Sequence, residues 1–231
     1  MIAENIAAIR AEIAKAAIAA NRDPAEIRLC AATKMNDADR VRQAIAAGID
    51  CCGENRVQEM TAKLEDNAYQ GAELHFIGHL QTNKVKQVVG KVSLIQSVDS
   101  YRLADAINKE ALRQNIVQDI LLEVNVADEE SKSGFLAEEI PDIIQKMEGF
   151  RNIRILGFMA IPPICQNFTD NHKFFQKMYN LSVDITRKKY DNVCVKILSM
   201  GMSGDYKDAI ACGSNMIRLG TAIFGARDYS K

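Results

Sequence analysis

Eight short apolar runs alternate with helix-patterned stretches along this chain, and that alternation restricts the fold more than any other feature. The strand-like runs fall at 28–33, 49–52, 74–78, 93–97, 118–126, 153–158, 194–199 and 216–219. Helical periodicity occupies 37–47, 54–66, 81–90, 100–114, 136–148, 168–189 and 204–212. A further amphipathic helix opens the chain, with Ile2, Ile6, Ile9 and Ile13 at helical spacing, and Asn21-Arg22-Asp23-Pro24 stops it. Strands separated by helices favour parallel pairing, because each helix carries the chain back to start the next strand in the same direction. Eight such units in 231 residues predict a single (β/α)8 TIM barrel with an extra N-terminal helix, one domain over 1–231. A doubly wound open sheet is the alternative, since pattern alone does not show closure.

Composition removes several function classes. A net charge of −1 gives no electrostatic footprint for nucleic acid or an anionic membrane. No apolar run is long enough to span a bilayer, and the N-terminus, with Glu4, lacks the apolar core of a signal peptide. Trp is absent and aromatics make up 6%, which argues against a base-stacking platform. The six cysteines, Cys30, Cys51, Cys52, Cys165, Cys194 and Cys212, form no C-x-x-C pair. Buried reduced thiols in a cytoplasmic protein are therefore expected, with no zinc site. His75 and His79 lie four apart but flank a strand end, not a helix face, so they do not converge as a helical zinc motif would.

In a barrel, chemistry collects where strands run into the following loops. Lys34 ends the first apolar run, Leu29-Cys30-Ala31-Ala32-Thr33-Lys34. Burial there would lower its pKa, and the neutral amine could attack a carbonyl to form a Schiff base. The plainer alternative is a lysine that snorkels to solvent. After the seventh run comes Ser199-Met200-Gly201-Met202-Ser203-Gly204-Asp205. Its glycines admit an anion close to the backbone, and Ser203 is expected to cap the next helix and bind phosphate. Gly220-Thr221 offers a second set of donors after the eighth run, and the loops after strands seven and eight are the usual phosphate site of such barrels. Arg218, two residues before Gly220, can donate to a ring nitrogen or to phosphate, with an ordinary ion pair as the rival reading. A lysine amine, a phosphate cradle and a ring-nitrogen donor are what pyridoxal 5′-phosphate requires.

Longer segments add a resemblance. Gly53-Glu54-Asn55-Arg56-Val57-Gln58-Glu59, His75-Phe76-Ile77-Gly78-His79-Leu80-Gln81-Thr82-Asn83-Lys84, Leu198-Ser199-Met200-Gly201-Met202-Ser203 and Arg218-Leu219-Gly220-Thr221-Ala222-Ile223-Phe224-Gly225 carry it. The chain resembles the YggS/PROSC family of pyridoxal phosphate homeostasis proteins from its first strand to its last. The resemblance implies the barrel of the alanine racemase N-terminal domain and a Schiff-base lysine at Lys34. It implies phosphate ligands at Ser203, Gly220 and Thr221, with backbone help near Met202, and a pyridine-nitrogen arginine at Arg218. Asn55 and His79 fall on the cofactor-facing loops. It further implies a role in vitamin B6 balance without an established catalysed reaction. Two positions depart from the family pattern. Asp37 stands where a proline is common and is expected to cap the next helix, and Leu74 stands where tryptophan is common.

The expected partners are pyridoxal phosphate itself and apo pyridoxal phosphate enzymes as acceptors, with no nucleic acid, no membrane and a monomeric state. The alternative function is an amino-acid racemase of the same cofactor. A two-base racemase needs a second acid or base on the opposite cofactor face, supplied in related enzymes by an additional β-rich domain. The chain ends at Lys231, after the last barrel element, which favours the binding protein. An arginine at the ring nitrogen also weakens the electron sink. A Schiff-base aldolase acting on a sugar phosphate fits the lysine and the phosphate loops but not the match along the entire chain. Lys132, in the loop after the fifth strand with Glu129, Glu130 and Ser131, is read as a solvated lysine, with a pocket gate or a ligand for a second anion as the alternatives. Lys84 and Lys86 are read as a solvated face.

Overall fold

Each apolar run becomes one strand of a closed, all-parallel barrel in the order β1 to β8. The computed structural model describes residues 1–129, 132–163 and 171–225. The strands are β1 (Arg28–Ala32), β2 (Cys51–Glu54), β3 (Glu73–Phe76), β4 (Leu94–Val98), β5 (Gln118–Glu123), β6 (Ile153–Met159), β7 (Val193–Ser199) and β8 (Met216–Leu219). Cys30 pairs with Cys51 on one side and with Arg218 on the other, so β8 closes onto β1. The helices are α1 (Ile2–Ala19), α2 (Ala38–Ala46), α3 (Val57–Glu65), α4 (Tyr101–Arg113), α5 (Ile140–Lys146), α6 (His172–Lys188), α7 (Tyr206–Ala211) and α8 (Thr221–Phe224).

Side chains alternate across each strand, so the barrel has two apolar layers. Leu29, Ala31, Cys52, Phe76, Ile95, Ile120 and Leu122 belong to the large core that also holds the buried faces of the helices. Two smaller clusters stand apart from it: Cys30, Cys51 and Met216, and Leu94, Leu121 and Met159, with half-buried Ile197 against both. These are the inward-facing residues of the lumen. α1 buries Ile2, Ile6, Ile9, Ile13 and Ala17 and lies against α2, α7 and α8. Leu74 is buried in the large core. Gly157 is required by geometry: its φ is +140°, and a Cβ there would meet the Ile197 carbonyl oxygen at 1.9 Å. It sits where the β6–β7 register shifts, between Ile155 and Gly157.

Three local expectations change. The helix read over 81–90 is a 3-10 stretch, Thr82–Gln87, because Val85 is its one buried residue and no apolar stripe enforces a 3.6-residue period. Glu54 extends β2 instead of opening a helix, because Thr33, Lys63 and Tyr69 all donate to its Oε1 and hold the side chain inside. Ser203 does not cap α7. That helix starts at Tyr206, and the Asp205 carboxylate closes the preceding turn by accepting from the Met202 N–H at 2.7 Å. Asp37 does cap α2, accepting from the Arg40 N–H at 2.8 Å. Cys165, Glu130 and Ser131 lie outside the described residues.

Candidate cofactor site at the barrel mouth

Lys34 stands two residues beyond the end of β1, half-buried, and the backbone around it is held from below. Lys63 on α3 donates to the Thr33 carbonyl at 2.8 Å and to Glu54 Oε1 at 2.5 Å. The Thr33 hydroxyl donates to the same Glu54 oxygen at 2.6 Å, as does the Tyr69 hydroxyl at 3.0 Å. On the other side of Lys34, the Met35 N–H donates to Glu59 Oε2 at 2.8 Å, and the Asn36 amide donates to the Lys34 carbonyl at 3.0 Å. Met35 has φ 59°, a left-handed turn that this pinning sustains. Lys34 is thus presented on a fixed strand end, not on a free loop.

On the far side of the mouth, Ser203 and Thr221 meet. The Thr221 hydroxyl donates to Ser203 Oγ at 3.4 Å, which joins the loop after β7 to the start of α8. Both residues are exposed. The turn Met202–Asp205 is clamped by Asp205, which accepts from the Met202 N–H and from the Asn171 amide at 2.9 Å. Gly201, at φ +95°, lets that turn sit directly on α7; a Cβ would lie 2.7 Å from Ala209 Cβ. α8 is anchored behind the site by Asn5, which donates to the Ile223 carbonyl at 2.9 Å, and by Arg40, which donates to the Phe224 carbonyl. Gly220 borders β1: a Cβ on it would lie 3.5 Å from Ala32.

Arg218 points into the lumen and is 5% exposed. Its guanidinium donates to Ser199 Oγ at 2.8 Å and to the Ala160 carbonyl at 2.9 Å. Both acceptors are uncharged, and burial pushes its pKa below the usual range. An arginine has five N–H donors, so donors remain for a ligand acceptor at the mouth. The Ser199 hydroxyl donates in turn to Gln96 Oε1 at 2.7 Å, and the Gln96 amide meets His75 Nδ1 at 2.9 Å. Asn55 follows β2, and its buried Oδ1 has no hydrogen-bond partner among the described residues. His79 is exposed and pairs through Nδ1 with Asp99 at 3.0 Å, at the rim. Lys132 pairs with Glu129 at 2.7 Å and donates to the Ile161 carbonyl at 3.5 Å, so it is not a free loop amine.

Sequence reasoning missed Glu123. It ends β5, and burial first, then the Asp99 charge, raises its pKa to about 7, offset in part by Arg218 and His79. A carboxylate at a strand end above an inward arginine was the available signal. The unfolded chain holds this group near 4.5, so the folded state binds the extra proton between about 4.5 and 7. The stability it contributes is fully present below 4.5 and is lost as pH rises through 7. Glu123→Gln is therefore expected to remove about 1–3 kcal/mol of pH-dependent stability between pH 5 and 8. Denaturant titrations of both proteins at the two pH values check this; parallel pH slopes would exclude the raised pKa.

Comparison places this geometry among known proteins. The family model for the alanine racemase N-terminal domain matches residues 4–228. A pyridoxal phosphate homeostasis protein of Aquifex aeolicus is 41% identical over 226 residues, covering 98% of each chain. A crystal structure of an unknown protein from Bifidobacterium adolescentis superposes with TM-score 0.91 at 36% identity, covering 96% of this chain and 94% of that one. PipY of Synechococcus elongatus PCC7942, solved with pyridoxal phosphate bound, superposes at 0.84 with 28% identity, covering 97% of this chain and all of that one. Barrel, strand-end residues and full-length similarity agree, and the chain belongs to the pyridoxal phosphate homeostasis protein family, which is built on the alanine racemase N-terminal domain.

Proposed function

We propose that this protein binds pyridoxal 5′-phosphate at the barrel mouth and serves intracellular, cytoplasmic vitamin B6 homeostasis without catalysing a reaction of its own. The observation that carries the reading is the convergence of Ser203 and Thr221, with buried Arg218 beside them, on the barrel end that also presents Lys34. The residues fit the group chemically. Two exposed hydroxyls and the Gly220 backbone suit a phosphate. Arg218 keeps donors for the ring nitrogen and holds its proton, being far too weak an acid to release it. Lys34 supplies the amine for a Schiff base with the aldehyde. Bound there, the cofactor would contribute that aldehyde and an electron-withdrawing ring. Asn55 and His79 would border it. The pyridoxal phosphate-bound PipY and the names of the full-length relatives support the same reading.

Borohydride reduction followed by peptide mapping tests it: a pyridoxyl group on Lys34 is expected, and its appearance elsewhere would overturn the assignment. Ser203→Ala is expected to weaken cofactor retention by about 1.5–3 kcal/mol, the value of a hydrogen bond to a charged group. Equal affinity in a fluorescence titration would remove Ser203 from the phosphate site. Delivery to acceptor enzymes is tested by mixing the loaded protein with an apo pyridoxal phosphate enzyme. Activity returning faster than with equimolar free cofactor supports transfer; no advantage supports storage.

A further inference from the structure

Below the mouth, the barrel lumen brings together three donors that the cofactor reading does not use: Cys30 on β1, Cys51 on β2 and His75 on β3. One ligating atom from each lies within 4.8 Å of the other two. Donors held about 2.0–2.3 Å from a shared cation stand roughly 3.3–4.0 Å apart, so closure needs a contraction of at most about 1.5 Å. All three are buried, at 0%, 0% and 1% exposure. Barrel interiors are usually filled by branched aliphatic side chains. Here the inward positions of β1 and β2 carry thiols instead, paired in register. The Met216 thioether belongs to the same cluster.

We propose that Cys30, Cys51 and His75 form a binding site for a soft thiophilic cation, Cu(I), in the lumen beneath the cofactor site. The imidazole is already oriented. Its Nε2 meets Glu73 Oε2 at 3.1 Å and its Nδ1 meets the Gln96 amide at 2.9 Å. With Nδ1 on the cation in place of the Gln96 amide, the Nε2–H keeps the Glu73 carboxylate as the acceptor that fixes the ring, the usual arrangement around a ligating histidine. Glu73 is itself engaged by Arg28 at 2.6 Å. Two thiolates, one imidazole and a nearby thioether are a soft set that suits Cu(I), whereas structural Zn(II) takes four Cys, His or carboxylate ligands. Charge agrees. Binding Cu(I) releases two thiol protons to solvent, with no change of oxidation state, and leaves a site of net charge −1. Arg218, the register neighbour of Cys30, is a buried cation whose hydrogen-bond acceptors Ser199 and Ala160 are uncharged. It can balance that charge across one strand spacing.

This inference does not rest on the cofactor reading. The test is an anaerobic competition between the reduced full-length protein and a chromophoric Cu(I) chelator. The wild type is expected to withhold one equivalent. Cys51→Ala is expected to bind at least about 100-fold more weakly, while variants of exposed Cys194 and of Cys165 match the wild type. Surrender of all copper by the wild type, or full retention by Cys51→Ala, overturns the site. X-ray absorption on copper-loaded wild type decides the matter if Cys51→Ala fails to fold. Sulfur and imidazole around copper support the site, and a shell lacking imidazole overturns it. A parallel Zn(II) competition showing equal or tighter retention overturns the choice of cation.

Discussion

Lys34→Ala is expected to lose all borohydride-fixable pyridoxal phosphate and the visible absorption of the loaded protein, while its melting temperature stays within a few degrees of wild type. The fold is spared because Lys34 lies beyond β1 and is only half-buried, outside both apolar layers. Its strand end is held by Lys63, Glu59 and Asn36 acting on the backbone, and none of these contacts needs the Lys34 side chain. What is expected to disappear is the proposed covalent bond. The hydroxyl pair and Arg218 remain, so the variant is expected to retain weak, reversible binding, at least about 100-fold poorer, or about 2.7 kcal/mol. Mass spectrometry after reduction and dialysis reads both effects. A variant that still carries a pyridoxyl group, on Lys132 for example, would show that Lys34 is not the capturing amine.

The path from sequence to site was open where period and chain position suffice. Alternating apolar runs and helical stretches gave eight strands, and the rule that chemistry gathers at strand ends pointed to Lys34, Ser203, Arg218 and Thr221. What stayed hidden depends on register. Cys30, Cys51 and His75 are separated by 21 and 24 positions in the chain and show no metal-ligand spacing. They become neighbours only because Cys30 pairs with Cys51 and Gly53 with His75 across adjacent strands. Glu123 likewise acquires its raised pKa from burial first and then from Asp99 on a neighbouring strand end, neither of which a local window contains. Glu54 read as a helix opener because Glu54-Asn55-Arg56 precedes a helical stretch. Its burial is explained only by Lys63, nine residues on, and by Tyr69 and Thr33.

That buried pair supports the second large expectation. Glu54 is 0% exposed and Lys63 7%, and Glu54 Oε1 accepts from three side chains at once. Removing one partner leaves an uncompensated buried charge, so Lys63→Ala is expected to cost about 3–5 kcal/mol. For a chain of this size, that is a fall in melting temperature of roughly 6–20 °C. Replacing both charges with apolar groups of similar volume, Glu54→Leu with Lys63→Met, removes the penalty and is expected to recover part of the loss. The double variant separates stability from positioning. It restores packing but not the bond from Lys63 to the Thr33 carbonyl, or the bond from the Thr33 hydroxyl to Glu54. The strand end beneath Lys34 is then held by fewer contacts. A double variant with regained melting temperature but slower cofactor capture would show that the pair places the lysine. If it captured the cofactor at the wild-type rate, the pair would be confined to stability. A loss below about 1 kcal/mol in Lys63→Ala would mean that the contact between Lys63 and Glu54 contributes little to stability.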